Sequence, residues 1–196
     1  HQSYGRPYQL PNSTAHNATC ANIGNMLFNW RMLEVTGDAK YAELVETCLY
    51  NSVLSGISLD GKKYFYTNPL RISADLPYTL RWPKERTEYI SCFCCPPNTL
   101  RTLCQAQNYA YTLGSEGIYC NLYGANTLTT NWRDKGEIAL TQKTAYPWEG
   151  NVRVEFDRVP RKAGVFSLFL RIPEWCEKAM LTVNGELVPV AAKANT

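Results

Sequence analysis

The chain has 196 residues, 45% of them apolar and 12% aromatic, enough for a packed core arranged as one large domain or two small ones. Its 20 basic and 17 acidic residues are mixed along the sequence and leave a net charge of +3, with no basic stripe to engage nucleic acid and no acidic tail. No apolar run approaches the roughly 20 residues of a membrane span, and His1 is followed by the polar segment QSYGRPYQLPN rather than by a signal sequence. The start of the chain looks cut, so localisation is not legible from it; the cytoplasm and the periplasm of a bacterium both suit.

In chain order, the first half reads as helical. Ile23, Met26, Leu27, Trp30 and Leu33 recur at helical spacing from about Asn17, and Gly37-Asp38 supplies a stop followed by a fresh N-cap. A second helix follows with Tyr41, Leu44, Val45, Cys48 and Leu49 on one face. Two such helices joined by a short loop are the building unit of helical bundles and toroids. Asp60-Gly61, between ISL and KKYFY, predicts a β-hairpin. The proline-punctuated, aromatic segment from Asn68 to Ser91 reads as a long ordered loop, and loops of that length in compact domains are usually functional. Pro96-Pro97 can open a third helix, with Leu100, Leu103, Cys104 and Tyr111 continuing at roughly helical spacing.

After Gly114-Ser115-Glu116-Gly117 the texture changes to short alternating strands: IYCNLY, NTLTT, EIALTQ, NVRVEF, VFSLFLRI and MLTVNGELVPV. Asn184-Gly185 is a second hairpin turn, and the regular spacing of turn signals is that of a β-sandwich. The expected fold class is therefore α+β and multidomain, with a helical portion at residues 1–112 and a β-rich portion at 113–196. Neither half contains an internal repeat beyond the helical hairpins.

The most informative chemistry lies in the cysteines. Cys92, Cys94 and Cys95 crowd into ISCFCCPPN, and Cys20 sits far upstream in NATCANIG. Thiolates are soft ligands and strong nucleophiles, so the cluster suits a metal, a disulfide or covalent catalysis, with inert thiols as the plain alternative. Zinc accepts sulfur ligands in a tetrahedron, and Cys20, Cys94 and Cys95, with Cys92 as a further donor, could supply them. The spacing is not that of paired C-x-x-C knuckles. Its place just ahead of a helix N-terminus should favour a thiolate. Cys48, Cys104, Cys120 and Cys176 each stand in an apolar run and read as ordinary core residues.

Other catalytic arrangements are poorly represented. A conventional glycosidase needs a pair of carboxylates across the scissile bond, yet residues 1–33 contain no Asp or Glu. Asp75, Glu85 and Glu88 lie in the long loop, within charged stretches such as PKERTE that read as solvated. A Ser-His-Asp arrangement, a phosphate-cradling glycine loop and a dinucleotide fingerprint are absent. The only histidines are His1 and His16.

The segments YGRPYQLPNSTAHNATCANIGNMLFNWRML, YNSVLSGISLDGKKYFYTNPL, SCFCCPPN and LRIPEWCEKAMLTVNGE, in that order over nearly the whole chain, resemble glycoside hydrolase family 127, the β-L-arabinofuranosidase family, and its relative family 146. The resemblance implies the C-terminal part of a catalytic (α/α)6 toroid followed by the start of a β-sandwich region. It implies Cys94 as nucleophile in a retaining mechanism, Zn2+ held by Cys20, Cys94 and Cys95, a carbohydrate substrate of the β-L-arabinofuranoside or related plant type, and His1 and Tyr66 as substrate contacts. Two positions depart from the family pattern. Ala18 stands where a glutamate usually completes the zinc site, and Gln2 falls on the glutamate acid/base, where an amide neither donates nor accepts a proton at neutral pH. His16, where a tyrosine is common, and His1 are the nearest titratable substitutes. A catalytically impaired carbohydrate-binding relative and a structural zinc–thiolate domain are the competing expectations.

Overall fold

The computed structural model describes residues 5–9, 11–12, 15–72, 74 and 81–189. The chain divides into two compact units, one of His1–Gly37 and Tyr41–Ala106, the other of Asp38–Lys40 and Gln107–Thr196. Together they make an α+β protein with few helices and several small sheets. No helix among the described residues is long and apolar enough to cross a membrane.

The first unit is built around three helices. Helix α1 (Thr19–Thr36) buries Ile23, Met26, Trp30 and Leu33 along one stripe, as the spacing predicts, while Leu27 stays partly exposed. It stops where Gly37 takes a left-handed conformation (φ 68°) and returns its N–H to the Leu33 carbonyl at 2.8 Å. Asp38 then caps α2 (Ala39–Cys48) by accepting the Lys40 N–H at 3.1 Å. The buried stripe of α2 is Ala42, Val45, Glu46 and Cys48, shifted from the expected face, so that Leu44 is largely exposed. The helix runs on into a π-helical turn (Leu49–Val53) and a 3₁₀ turn (Leu54–Gly56). Helix α1 packs against this π turn and against α3 (Cys95–Gln105). Gly56 permits the approach: a Cβ there would lie 3.1 Å from the Thr19 methyl and 3.7 Å from the Thr99 hydroxyl.

The Asp60-Gly61 turn forms, with Gly61 at φ 73°, but the flanking segments do not become strands. Their backbone groups go to other partners. Tyr64 bridges both Ile57 and Thr87, the Tyr66 carbonyl accepts the Thr19 N–H at 3.0 Å, and Thr67 bridges Ala18. Residues 64–68 are thus a strap across the start of α1. Beyond it, the described part of the loop is anchored by Arg86, which donates from Nε and Nη2 to the Ser55 carbonyl at 2.9 and 2.6 Å and lies over the Phe65 ring.

Helix α3 ends at Gln105, and Tyr111 is not on it. Tyr111 instead opens β1 (Tyr111–Leu113), because residues 111–113 pair antiparallel with β2 (Gly117–Cys120) in the second unit. Strand β6 (Ser167–Leu170) lies parallel to β2, and Gly117 is required there: a Cβ would sit 1.9 Å from the Ser167 carbonyl oxygen. A second sheet joins β3 (Asn126–Asn131), β4 (Glu137–Thr144) and β5 (Val152–Arg158) in antiparallel order. Ile118 from the first sheet and Ile138 and Leu140 from the second share one core with Trp132 and Ala163. β7 (Leu181–Val183) and β8 (Glu186–Val188) form the expected two-residue hairpin, with Asn184 and Gly185 at φ 53° and 89°.

Candidate active site

The three cysteines that matter reach one place from two helix starts. Cys20 is the second residue of α1, Cys94 caps α3 and Cys95 is its first residue. The start of α1 is pinned by the strap: Thr19 Oγ1 donates to the Phe65 carbonyl at 3.2 Å, and the Asn68 N–H donates to the Asn17 carbonyl at 3.0 Å. The start of α3 is set by Pro96 and Pro97, whose fixed φ suits a first turn and whose missing N–H groups need no partner there. A tight turn from the Cys94 N–H to the Cys92 carbonyl (2.9 Å) leads into it.

The sulfur atoms of Cys20, Cys94 and Cys95 lie within 4.8 Å of one another, and Cys20 and Cys94 are 3.2 Å apart. Sulfurs about 2.3 Å from a tetrahedral zinc stand about 3.8 Å from each other, so this set fits such an ion. Cys95 is fully buried, whereas Cys20 and Cys94 are partly open. Cys92 packs against the same cluster but does not join the three-sulfur group. No carboxylate or histidine joins it either, among the described residues. Ala18, two residues before Cys20, places a buried methyl at this edge.

The electrostatics differ from the expectation that the helix start alone would favour thiolates. Burial pushes the Cys94 and Cys95 thiols up from their ordinary value, and the neighbouring cysteine sulfur of Cys20 adds to the effect. At Cys94 and Cys95, desolvation works against the thiolates that a helix start would favour. Cys48 and Cys120 are buried core thiols as expected, and burial pushes Cys120 up to about 12. Cys104 is a correction, for it is exposed on α3, and Cys176 is half-buried.

Aromatic groups pack against the same cluster. Tyr66 is buried, stacks on Trp82 with ring centroids 3.7 Å apart, and hydrogen-bonds Cys94 through its hydroxyl. Burial raises the Tyr66 pKa, so the hydroxyl keeps its proton and acts as donor. The His16 ring lies 6.4 Å from Tyr66, and burial lowers its pKa, with the Arg81 charge acting in the same direction. His16 Nε2, Trp82 Nε1 and Thr67 Oγ1 are buried polar atoms without a hydrogen-bond partner. Such atoms are suited to receive hydroxyl groups of a ligand. Glu85 and Glu88 are exposed, as their charged context suggested. His1, Gln2 and Asp75 lie outside the described residues.

Sequence reasoning did not single out Trp82, the strap or Asn98. Asn98 Nδ2 donates to Cys20 Sγ at 3.0 Å. Its signal was available, since position 98 falls three and four residues after Cys95 and Cys94, on the helix face those sulfurs occupy.

A cysteine-lined centre at the starts of two helices precedes a β-rich unit, and both parts of the chain match one class of glycoside hydrolases. Residues 1–108 match the family described as β-L-arabinofuranosidase, GH127 catalytic domain, and residues 117–196 match the GH127 middle domain. The chain belongs to glycoside hydrolase family 127. A non-reducing end β-L-arabinofuranosidase of Bifidobacterium longum subsp. longum is 32% identical over 94% of the chain, which spans 29% of that relative. A solved glycoside hydrolase is 89% identical with a TM-score of 0.95, covering 100% of this chain and 32% of its own. The GH127 β-L-arabinofuranosidase of Geobacillus stearothermophilus T6 is 37% identical with a TM-score of 0.80, over 95% of this chain and 30% of its own. The chain thus spans about a third of the length of these relatives.

Proposed function

We propose that the protein is a retaining glycoside hydrolase acting on β-L-arabinofuranosides or related plant-type glycans, with Cys94 as nucleophile. The observation that carries this is the convergence of Cys20, Cys94 and Cys95 beside the Tyr66–Trp82 stack, with Cys94 the half-open sulfur that also meets the Tyr66 hydroxyl. On this reading the helical unit is the C-terminal part of an (α/α)6 toroid, and the β-rich unit, from about residue 113, begins a β-sandwich region.

In the reaction, Cys94 Sγ attacks the anomeric carbon, the glycosidic C–O bond breaks, and the departing oxygen takes a proton from an acid. Water then gives a proton to the conjugate base of that acid and cleaves the C–S bond from the face opposite the sulfur, restoring the thiolate with net retention. Cys20, Cys94 and Cys95 would hold zinc, which would keep sulfur deprotonated and make it a tolerable leaving group. Tyr66 fixes Cys94 by hydrogen bonding, and the Trp82–Tyr66 stack offers an apolar wall to the sugar. His16, half-buried and with Nε2 free of a partner, stands with its ring 6.4 Å from that of Tyr66. It is the substitute acid/base if Gln2 occupies the family position.

The test is covalent trapping. A haloacetamide-type arabinofuranoside should label Cys94 alone in the intact protein, and labelling of Cys92 or Cys95 in its place would reassign the nucleophile. A second reading, a catalytically impaired carbohydrate-binding relative, is favoured by Ala18 and Gln2. It predicts sugar affinity with no turnover and no covalent adduct.

A further inference from the structure

The geometry points to Asn98 as a positioning residue that ties the Cys20 sulfur to the helix carrying Cys94 and Cys95. This rests on the zinc–thiolate reading of the site. Two of the three sulfurs belong to α3 and move with it, but Cys20 belongs to α1, so the sulfur geometry depends on how the two helices are held together. Packing between α1 and α3 sets their distance coarsely. Beside the 3.2 Å contact of the Cys20 and Cys94 sulfurs, a side chain of α3 adds a directional link: the amide of Asn98, whose Nδ2 donates to Cys20 Sγ at 3.0 Å.

Asn98 is itself firmly placed. Its N–H bonds the Cys94 carbonyl at 3.2 Å, closing the first turn of α3, and its carbonyl accepts the Thr102 hydroxyl at 2.8 Å. The side chain therefore starts from a fixed backbone between Pro97 and the buried Thr99. An N–H donor aimed at a ligand sulfur does two things. It fixes the side-chain rotamer of Cys20, and it occupies one sulfur lone pair, leaving less electron density for attack on an electrophile. Tyr66 plays the corresponding role at Cys94 with a hydroxyl. Unlike Tyr66, Asn98 reaches from α3 to a sulfur on α1.

Residues that orient metal ligands typically contribute about 10- to 100-fold in metal affinity. In the intact protein, Asn98→Ala and the similarly sized, uncharged Asn98→Leu should both weaken zinc by at least about tenfold in chelator competition. They should leave the circular dichroism spectrum and melting cooperativity unchanged. Cobalt-loaded variants should show altered sulfur-to-cobalt charge-transfer bands. Metal-free protein gives an independent readout: limited iodoacetamide, mapped by mass spectrometry, should alkylate Cys20 several-fold more relative to Cys94 in both variants than in the parent. Zinc affinity within twofold of the parent in both variants overturns the assignment. If the parent itself takes up no zinc, the zinc reading fails, and Asn98 is judged on alkylation alone: an unchanged Cys20-to-Cys94 ratio overturns it and a raised one upholds it.

Discussion

Zinc affinity should rise by at least about 100-fold for each pH unit through the neutral range. The thiols of Cys94 and Cys95 are both raised above the ordinary value of 9.0 by burial, so both are protonated at neutral pH in the metal-free protein. Zinc binds thiolates, so each thiol that becomes a ligand releases its proton. The protons of Cys94 and Cys95 alone give about tenfold each per pH unit, or about 2.7 kcal/mol together. The metal-free fold has the opposite dependence. A thiol whose folded-state pKa lies above its unfolded value stabilises the fold below that unfolded value, and the contribution is lost as pH rises through the folded pKa. The same sign applies to Cys120. Metal-free protein should therefore melt at progressively lower temperature above about pH 9, while zinc affinity still gains from thiol ionisation. Chelator competition at several pH values, corrected for protonation of the chelator, measures the slope. A gain of tenfold or less per pH unit would mean that fewer than two thiol protons leave, and the ligand set would be wrong.

Three further outcomes are expected. Cys94→Ser should reduce hydrolysis by the intact protein to background, because serine is a hard, high-pKa oxygen that zinc would not hold as the same nucleophile. Cys104→Ser, on an exposed position, should stay within about twofold of the parent, and steady-state rates on an arabinofuranoside compare the two. Ala18→Glu should tighten zinc by about tenfold or more if the position borders the ion, and unchanged affinity in chelator competition would place it outside the ligand shell. Gly117→Ala should cost about 3 kcal/mol in denaturant melts, since its Cβ would collide with the Ser167 backbone. A change below about 1 kcal/mol would show that β2 and β6 can separate locally without loss.

What the sequence made legible was what local chemistry dictates. Gly37 and Asp38 marked the α1–α2 junction because a left-handed stop and a side-chain cap need only nearby atoms. Pro96-Pro97 marked the start of α3 for the same reason, and Asn184-Gly185 its hairpin. Alternation exposed most strands, including β4 with Ile138, Leu140 and Gln142 inward. The misses involve partners distant in sequence. The KKYFY segment has strand-like residues, yet Tyr64 to Thr67 divide their backbone bonds among Ile57, Thr87, Thr19 and Ala18. Tyr111 fits a helical spacing but pairs with Cys120 across a turn. The parallel match of β2 with β6 joins segments about fifty residues apart, which no periodicity reveals. At the site, the cysteines were legible because thiols rarely cluster by accident, whereas Asn98 and Trp82 are ordinary residue types whose role depends on what lies opposite.

The two prolines at the start of α3 have a consequence for when the site can react. A helix start ordinarily welcomes an anion because its first N–H groups point outward with no partner. Here Pro96 and Pro97 have no such groups, and the Asn98 N–H is already bonded to the Cys94 carbonyl. The backbone has few donors left to hold a negative charge at this turn. Without a cation the Cys94 and Cys95 sulfurs stay protonated at neutral pH and slow toward oxidants and stray electrophiles. If the proposed zinc binds there, reactivity is conferred on loading, and the nucleophile of the metal-free protein stays switched off.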